Sequence, residues 1–238
     1  MNDYSRLIAY LDGYGVSVSD EQIYQLDKYY EMMTETNKSL NLTAITEFSD
    51  VLIKHYIDSV SIIRDIDMSR EISVIDVGTG AGFPGMVLKI IFPSINITLF
   101  DSLQKRLTFL NGVISELGLT GIHTCHGRAE EAGHMADMRE QYDLCVSRAV
   151  ANLPVLSELC LPFVKVGGQF VSYKSDKGSE ELSSSKHALE VLSGSVIKED
   201  IFTLEDSDIV RNLIIIDKVK SCPKAYPRKP GTPSKKPL

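Results

Sequence analysis

The run Val74-Ile75-Asp76-Val77-Gly78-Thr79-Gly80-Ala81-Gly82-Phe83-Pro84-Gly85 constrains this chain more than any other segment. A β-branched stretch ends in an acid and passes straight into four glycines within eight positions. That is the pattern of a buried strand followed by a loop stripped of side chains. In such a loop the backbone turns sharply and a ligand can lie against bare peptide. Residues 84–92 read as the next helix, with Pro84 in its first turn. Strand, glycine loop and helix in that order suit a nucleotide-like ligand.

The spacing sorts the candidate ligands. Gly80 to Gly85 fits G-x-G-x-x-G literally, and Asp101 follows about 20 residues later. That match alone is unspecific. The pattern Asp76-x-Gly78-x-Gly80-x-Gly82 says more. A carboxylate two residues before the first glycine suits a ligand carrying a cation, such as the sulfonium and amino groups of S-adenosylmethionine. It sits badly beside a pyrophosphate. S-adenosylmethionine is therefore the expected cofactor, held by Asp76, Gly78 and Gly80. Asp101 ends the next expected strand, where a carboxylate can accept from ribose hydroxyls in either class of protein. Glu130, in Gly127-Arg128-Ala129-Glu130-Glu131, is placed to hold an adenine edge. Arg148, in Val146-Ser147-Arg148-Ala149-Val150, puts a cation at the mouth of the site, where a methyl acceptor should lie.

From Glu71 onward strand and helix signals alternate, which implies a mainly parallel sheet covered by helices. Expected strands are 72–77, 96–101, 122–126, 143–147, 169–174, 195–202 and 212–219. Expected helices are 84–92, 102–117, 153–164 and 179–192. Ser102 is the expected N-cap and Gly118 the expected stop of the helix over 102–117. The last two strands lack a connecting helix, so the final one should pair antiparallel. The fold expected is α/β, a seven-stranded sheet resembling the Rossmann-like class I methyltransferases. Residues 1–70 read as a helical N-terminal extension, with Ile23, Leu26, Tyr30 and Met33 on one face and a break at Asn41–Thr46. Residues 71–220 form the main domain, and 221–238 a basic, Pro-rich tail.

The 238 residues carry a net charge of −7. Lys224, Arg228, Lys229, Lys235 and Lys236 lie in the tail without an acid among them, so the body is more acidic still. An acidic body with a basic tail points to a local polyanion contact rather than a general nucleic-acid coat. Prolines would keep that tail extended, along a phosphate backbone or lining the site. No apolar run is long enough for a membrane span, and no secretory signal is read at the start. The four cysteines are widely spaced and read as reduced thiols. No metal centre is expected, because His123 and His126 would point to opposite faces of one strand.

Elimination narrows the acceptor. The Asn/Asp-Pro-Pro-aromatic signature of amino methyltransferases is missing after the fourth strand, where Asn152-Leu153-Pro154 stands. Cys145 lies inside that strand, too buried for pyrimidine carbon-5 chemistry. Guanine N7 has a free lone pair and no proton to lose, so an Arg with no obvious base suits it. Such a base must be unpaired or flipped out. His55 and Asp58 share a helix face and read as structural or as part of a pocket lid.

These motifs, with Asn41-Leu42-Thr43-Ala44-Ile45, His55-Tyr56-Ile57-Asp58-Ser59, Asp101-Ser102-Leu103-Gln104-Lys105-Arg106 and Tyr226-Pro227-Arg228-Lys229-Pro230-Gly231-Thr232-Pro233, resemble in order the RsmG (GidB) family of bacterial 16S rRNA guanine-N7 methyltransferases. The resemblance implies a cytoplasmic enzyme acting on a guanine at position 527, in the 530 loop of small-subunit rRNA. It implies donor contacts at Gly78, Phe83, Ala129, Glu130 and Arg148. It makes 16S rRNA in the small ribosomal subunit the expected partner of a monomer, with neither DNA nor membrane. Lys174, Arg228 and Lys229 are the expected RNA contacts, and Arg148 the expected catalytic residue. A small-molecule methyltransferase of the same fold, or a nicotinamide-dependent oxidoreductase, remains the alternative.

Overall fold

The computed structural model describes residues 2–205 and 207–238. Two helices open the chain, α1 (Ser5–Asp12) and α2 (Asp20–Leu40). Ser19 caps α2 through a capping box with Gln22, which is why the helix starts there. Asn41, left-handed at φ 48°, ends it. After the expected break come α3 (Phe48–Val51), a π-helical turn (Leu52–Ile57) and α4 (Asp58–Val60). Wide turns of this kind concentrate at functional sites, because the extra residue re-aims the side chains around it.

The sheet follows: β1 (Ser73–Val77), α5 (Gly85–Ile91), β2 (Asn96–Asp101), α6 (Gln104–Glu116), β3 (Ile122–His126), α7 (Ala129–Ala132) and β4 (Tyr142–Arg148). Then come α8 (Leu153–Cys160), β5 (Val164–Lys174), α9 (Gly178–Ser184), α10 (Lys186–Leu192), β6 (Gly194–Thr203), β7 (Val210–Lys218) and α11 (Thr232–Lys235). The strand order is β3-β2-β1-β4-β5-β7-β6. Only the pairings made by β7 are antiparallel. The unconnected hairpin therefore places β7 between β5 and β6, as its missing crossover helix requires.

Alternation along the strands divides the interior into two layers. Val74, Ile97, Leu99, Leu144, Val146, Val171 and Ile215 pack with α1, α2, α5 and α6. Ile75, Val77, Phe100, Phe170, Ile214 and Ile216 pack with α8, α10 and, beyond β7, Cys222 and Tyr226. The N-terminal helices are thus one wall of the main core. Tyr29, fully buried, drives its hydroxyl into the glycine loop, donating to the Ala81 carbonyl at 2.5 Å. Tyr30, the residue the periodicity had placed on that face, is only half-buried and bonds to the Thr46 carbonyl at 2.9 Å.

Ser102 does not cap α6. The helix begins two residues later without a side-chain cap, and the Asp101 carboxylate takes the Leu103 amide at 2.8 Å instead. Gly118, at φ +60°, ends the helix as expected. The tail, expected to be extended, is not. It is folded back on the body, with Pro227 and Pro233 buried. The Arg139 guanidinium donates to the carbonyls of Cys222 and Tyr226, and His134 lies 2.7 Å from the Pro227 carbonyl. No helix among the described residues is long and apolar enough to cross a membrane. All four cysteines are free thiols.

Candidate active site

Two cavities open at the carboxyl ends of the parallel strands, where the order reverses between β1 and β4. They meet at Ala149 and Val150, which line both.

The smaller cavity, about 290 Å³, is walled by Gly78, Asp101, Arg106, Gly127, Ala129 and Glu130. The end of β1 and the start of the glycine loop, Val77 and Gly78, reach it from below. Gly78 sits at φ +77°, and a side chain there would drive into the Val150 methyl group. Gly80, at φ +62°, meets nothing nearer than 3.9 Å, so its bare backbone faces open space. The Gly78 and Thr79 amides donate to the Phe100 carbonyl and lock the loop to the end of β2. Asp101 accepts from the Gly80 amide at 2.9 Å, the Leu103 amide at 2.8 Å and Arg106 at 3.3 Å. A carboxylate has about four lone-pair sites, so room remains for one ribose hydroxyl, and for two if the half-exposed Arg106 swings away. Glu130 gives one oxygen to the Gly231 amide at 2.9 Å, which leaves the other for an adenine amino group. An open glycine cradle, a carboxylate at the ribose position and a second acceptor beyond it fit the adenosyl part of S-adenosylmethionine. Gly78, Asp101, Ala129 and Glu130 would hold it.

Asp76 does not reach this cavity. It is 0 % exposed and lies under the loop. One oxygen accepts from the Thr79 hydroxyl at 2.6 Å and the Gly85 amide at 2.9 Å, while the other is buried without a partner among the described residues. Its place is that of a loop anchor rather than a contact to the donor cation. Burial pushes its carboxyl up to about 6, against the two hydrogen bonds that favour the anion. The unfolded chain loses this proton near 3.8, whereas the fold keeps it to about 6. Stability from this group is therefore full below the lower value and drains away as pH rises through the higher one. Asp76→Asn removes that dependence. Between pH 4 and 6.5 its stability relative to the parent should improve by on the order of 2 kcal/mol, read from chemical denaturation. A constant difference across that range would contradict the burial argument.

The larger cavity, about 530 Å³, is lined by His55, Asp58, Arg148, Tyr173, Lys174, Glu181 and Arg211 among others. Arg148 is its best-fixed cation. It donates to Asp58 at 2.6 Å and to the Lys54 carbonyl at 3.3 Å, stands 3.3 Å from His55 Nδ1, and lies 5.4 Å from the centre of the Phe83 ring. Asp58, nearly inaccessible, takes Arg211 on its other oxygen at 2.8 Å. The two residues of the His–Asp pair thus do not act on each other; both hold Arg148. His55 stacks on Phe83 with ring centres 4.2 Å apart, and its Nε2 lies 3.0 Å from the Thr43 hydroxyl. Burial, then the Arg148 charge, pushes His55 down to about 3, so it is neutral at physiological pH. With Arg148 donating to Nδ1, its proton sits on Nε2, and neither nitrogen is free to act as a base.

Of the expected donor contacts, Gly78, Asp101, Ala129 and Glu130 line the smaller cavity, and Gly80 bonds to Asp101 in its wall. Arg148, expected both as a donor contact and as the catalytic residue, lines the larger cavity and not the smaller, which leaves it on the acceptor side. Phe83, expected as a donor contact, lies behind the wall of the larger cavity, as the ring under His55 and Arg148. Lys174 is almost buried, tied to Glu181 and to the Ala151 carbonyl. Arg228 is drawn into a pair with Glu158. Neither is disposed to meet a phosphate. Lys229 is exposed, and it alone of the three fits the expected RNA role. Sequence reasoning missed Arg211, Thr43 and Tyr29. Arg211 left no local signal, since the strand it heads also carries Asn212, Asp217 and Lys218.

Comparison with known proteins agrees with this geometry. A family model described as GidB, rRNA small subunit methyltransferase G, matches residues 22–210. Ribosomal RNA small subunit methyltransferase G of Alkaliphilus metalliredigens is 51% identical over 224 residues, 94% of each chain. Its namesake from Lachnoclostridium phytofermentans is 48% identical over 238 residues, 100% of this chain and 98% of the relative. Among solved structures, a Methanococcus jannaschii fibrillarin pre-rRNA processing protein superposes with a TM-score of 0.51 at 18% identity, covering 67% of this chain and 73% of its own. TrmN from Thermus thermophilus does so at 0.52 and 14%, covering 70% and 53%. Those two share the fold alone. The relatives, aligned nearly end to end across both cavities, make the chain a member of the rRNA small subunit methyltransferase G family.

Proposed function

We propose that this protein transfers the methyl group of S-adenosylmethionine to N7 of a guanine in 16S rRNA, within the 530 loop that the family resemblance implies. One observation carries the choice of atom. The cavity next to the donor site holds a fixed guanidinium; among the described residues its imidazole is neutral with both nitrogens engaged, and its two carboxylates, Asp58 and Glu181, are each paired to a cation. An amine or hydroxyl acceptor would need a base to take its proton. Guanine N7 needs none. Its lone pair forms the bond to the methyl carbon while the carbon–sulfur bond breaks, and no proton moves. What the protein must supply is position and orientation.

In this reading Gly78, Asp101, Ala129 and Glu130 hold the donor, and Gly80 gives it room. Asp76 and Phe83 support the loop and the acceptor wall. Arg148 donates to guanine O6, which marks the Hoogsteen edge and leaves N7 facing the donor. Lys229 serves the phosphate backbone. The enzyme works as a monomer in the cytoplasm.

The test is atomic. An unmodified rRNA fragment bearing 7-deazaguanine at the target replaces N7 by carbon. Donor binding should stay as it was, and incorporation of labelled methyl should fall to background. Methylation of the 7-deaza fragment at an undiminished rate would point to another acceptor atom.

A further inference from the structure

The acceptor cavity has two acids in its lining, and they are in different states. Asp58 has both oxygens taken by arginines. Glu181, on α9, is held by one oxygen only. That oxygen accepts the Leu153 amide at 2.7 Å and the Lys174 ammonium at 2.7 Å. The other has no partner among the described residues, and the side chain, 26% exposed, lines the cavity. The result is a carboxylate fixed at one end with a free oxygen at the other. It shares a cavity with Arg148.

A cation and a free carboxylate in one cavity with room for a purine are complementary to guanine. Guanine offers acceptors on one edge, O6 and N7, and donors on another, N1–H and the N2 amino group. Adenine offers no such pair of adjacent donors. We propose that Glu181 is a specificity residue that accepts N1–H and the N2 amino group of the target guanine. This deepens the N7 reading and rests on it. There is also a reason for Glu181 to act on rate. Alkylation at N7 gives the purine ring a positive charge and makes N1–H more acidic. A carboxylate on that edge binds the developing cation more tightly than the neutral base, which lowers the barrier.

The experiment uses the full chain and three rRNA fragments, with guanine, inosine or 7-deazaguanine at the target. Inosine keeps N7 and N1–H but lacks the N2 amino group. The parent should methylate the inosine fragment about tenfold or more slowly than guanine. Glu181→Gln keeps an oxygen for Leu153 and Lys174 but turns an amide N–H₂ toward the base. Its rate on guanine should drop tenfold or more, and its guanine-to-inosine ratio should shrink toward one. Its donor affinity should match the parent's. An unchanged ratio in E181Q, or equal rates on guanine and inosine in the parent, overturns the proposal. The parent measurement stands even where the variant folds poorly. The 7-deaza arm separates the two claims. If that fragment is methylated, the N7 reading fails; if it is inert while E181Q keeps its preference, Glu181 alone is misassigned.

Discussion

Arg228→Ala is expected to destabilise the protein by about 3–5 kcal/mol, far beyond the effect of losing a surface ion pair. Glu158 is 0 % exposed on α8. Arg228 meets it with the backbone amide at 2.7 Å, Nε at 2.9 Å and a terminal nitrogen at 2.6 Å. Removing the guanidinium leaves a buried carboxylate with a single amide partner. The same guanidinium reaches forward to the Lys236 carbonyl at 2.8 Å, just past α11, so the short segment closed between them loosens with it. Glu130 depends on that segment through Gly231. Donor affinity should therefore weaken alongside stability. Replacing Arg228 and Glu158 together by methionine should recover much of the loss, since no buried charge is then stranded. Denaturant midpoints of the single and double variants decide this. A single variant within 1 kcal/mol of the parent would mean the tail is not clamped as described.

Arg148→Ala should have the largest effect on catalysis. Loss of the group proposed to set the guanine edge is expected to reduce the methylation rate at saturating donor about 100-fold or more. Because Arg148 faces the acceptor cavity, donor affinity should change little. Lysine should not rescue it. A single ammonium cannot meet Asp58, the Lys54 carbonyl and His55 at once while donating to a base. Rates on an rRNA fragment, set beside calorimetric titration of the demethylated donor, separate the two effects. A fall in donor affinity with normal turnover would move Arg148 to the other cavity's account.

β2 and β3 fall on the residues expected, because short runs with β-branched residues set between Pro, Ser and Gly leave few alternatives. The glycine loop, Asp101 and Glu130 were legible because their chemistry depends on position along consecutive strands. Asp76 shows where this fails. Its position after a strand says that it sits by the loop, but only packing shows that it points under the loop instead of out of it. Arg228 and Lys174 fail for a related reason. Sequence reads a cation as exposed, and the acids that bury these two, Glu158 and Glu181, lie 70 and seven residues away. Glu181 and Arg211 reach the acceptor cavity only through tertiary packing, so no local pattern marked them. The tail was misjudged because proline content speaks of stiffness, not of what a stiff segment docks against.

The most direct measurement is methylation of unmodified small-subunit rRNA with labelled S-adenosylmethionine, followed by strand cleavage specific for N7-methylguanine. A single cleavage, in the 530 loop, dependent on this protein and lost with Arg148→Ala, is the predicted result. Label incorporated without N7-specific cleavage, or cleavage that survives loss of Arg148, would contradict the account.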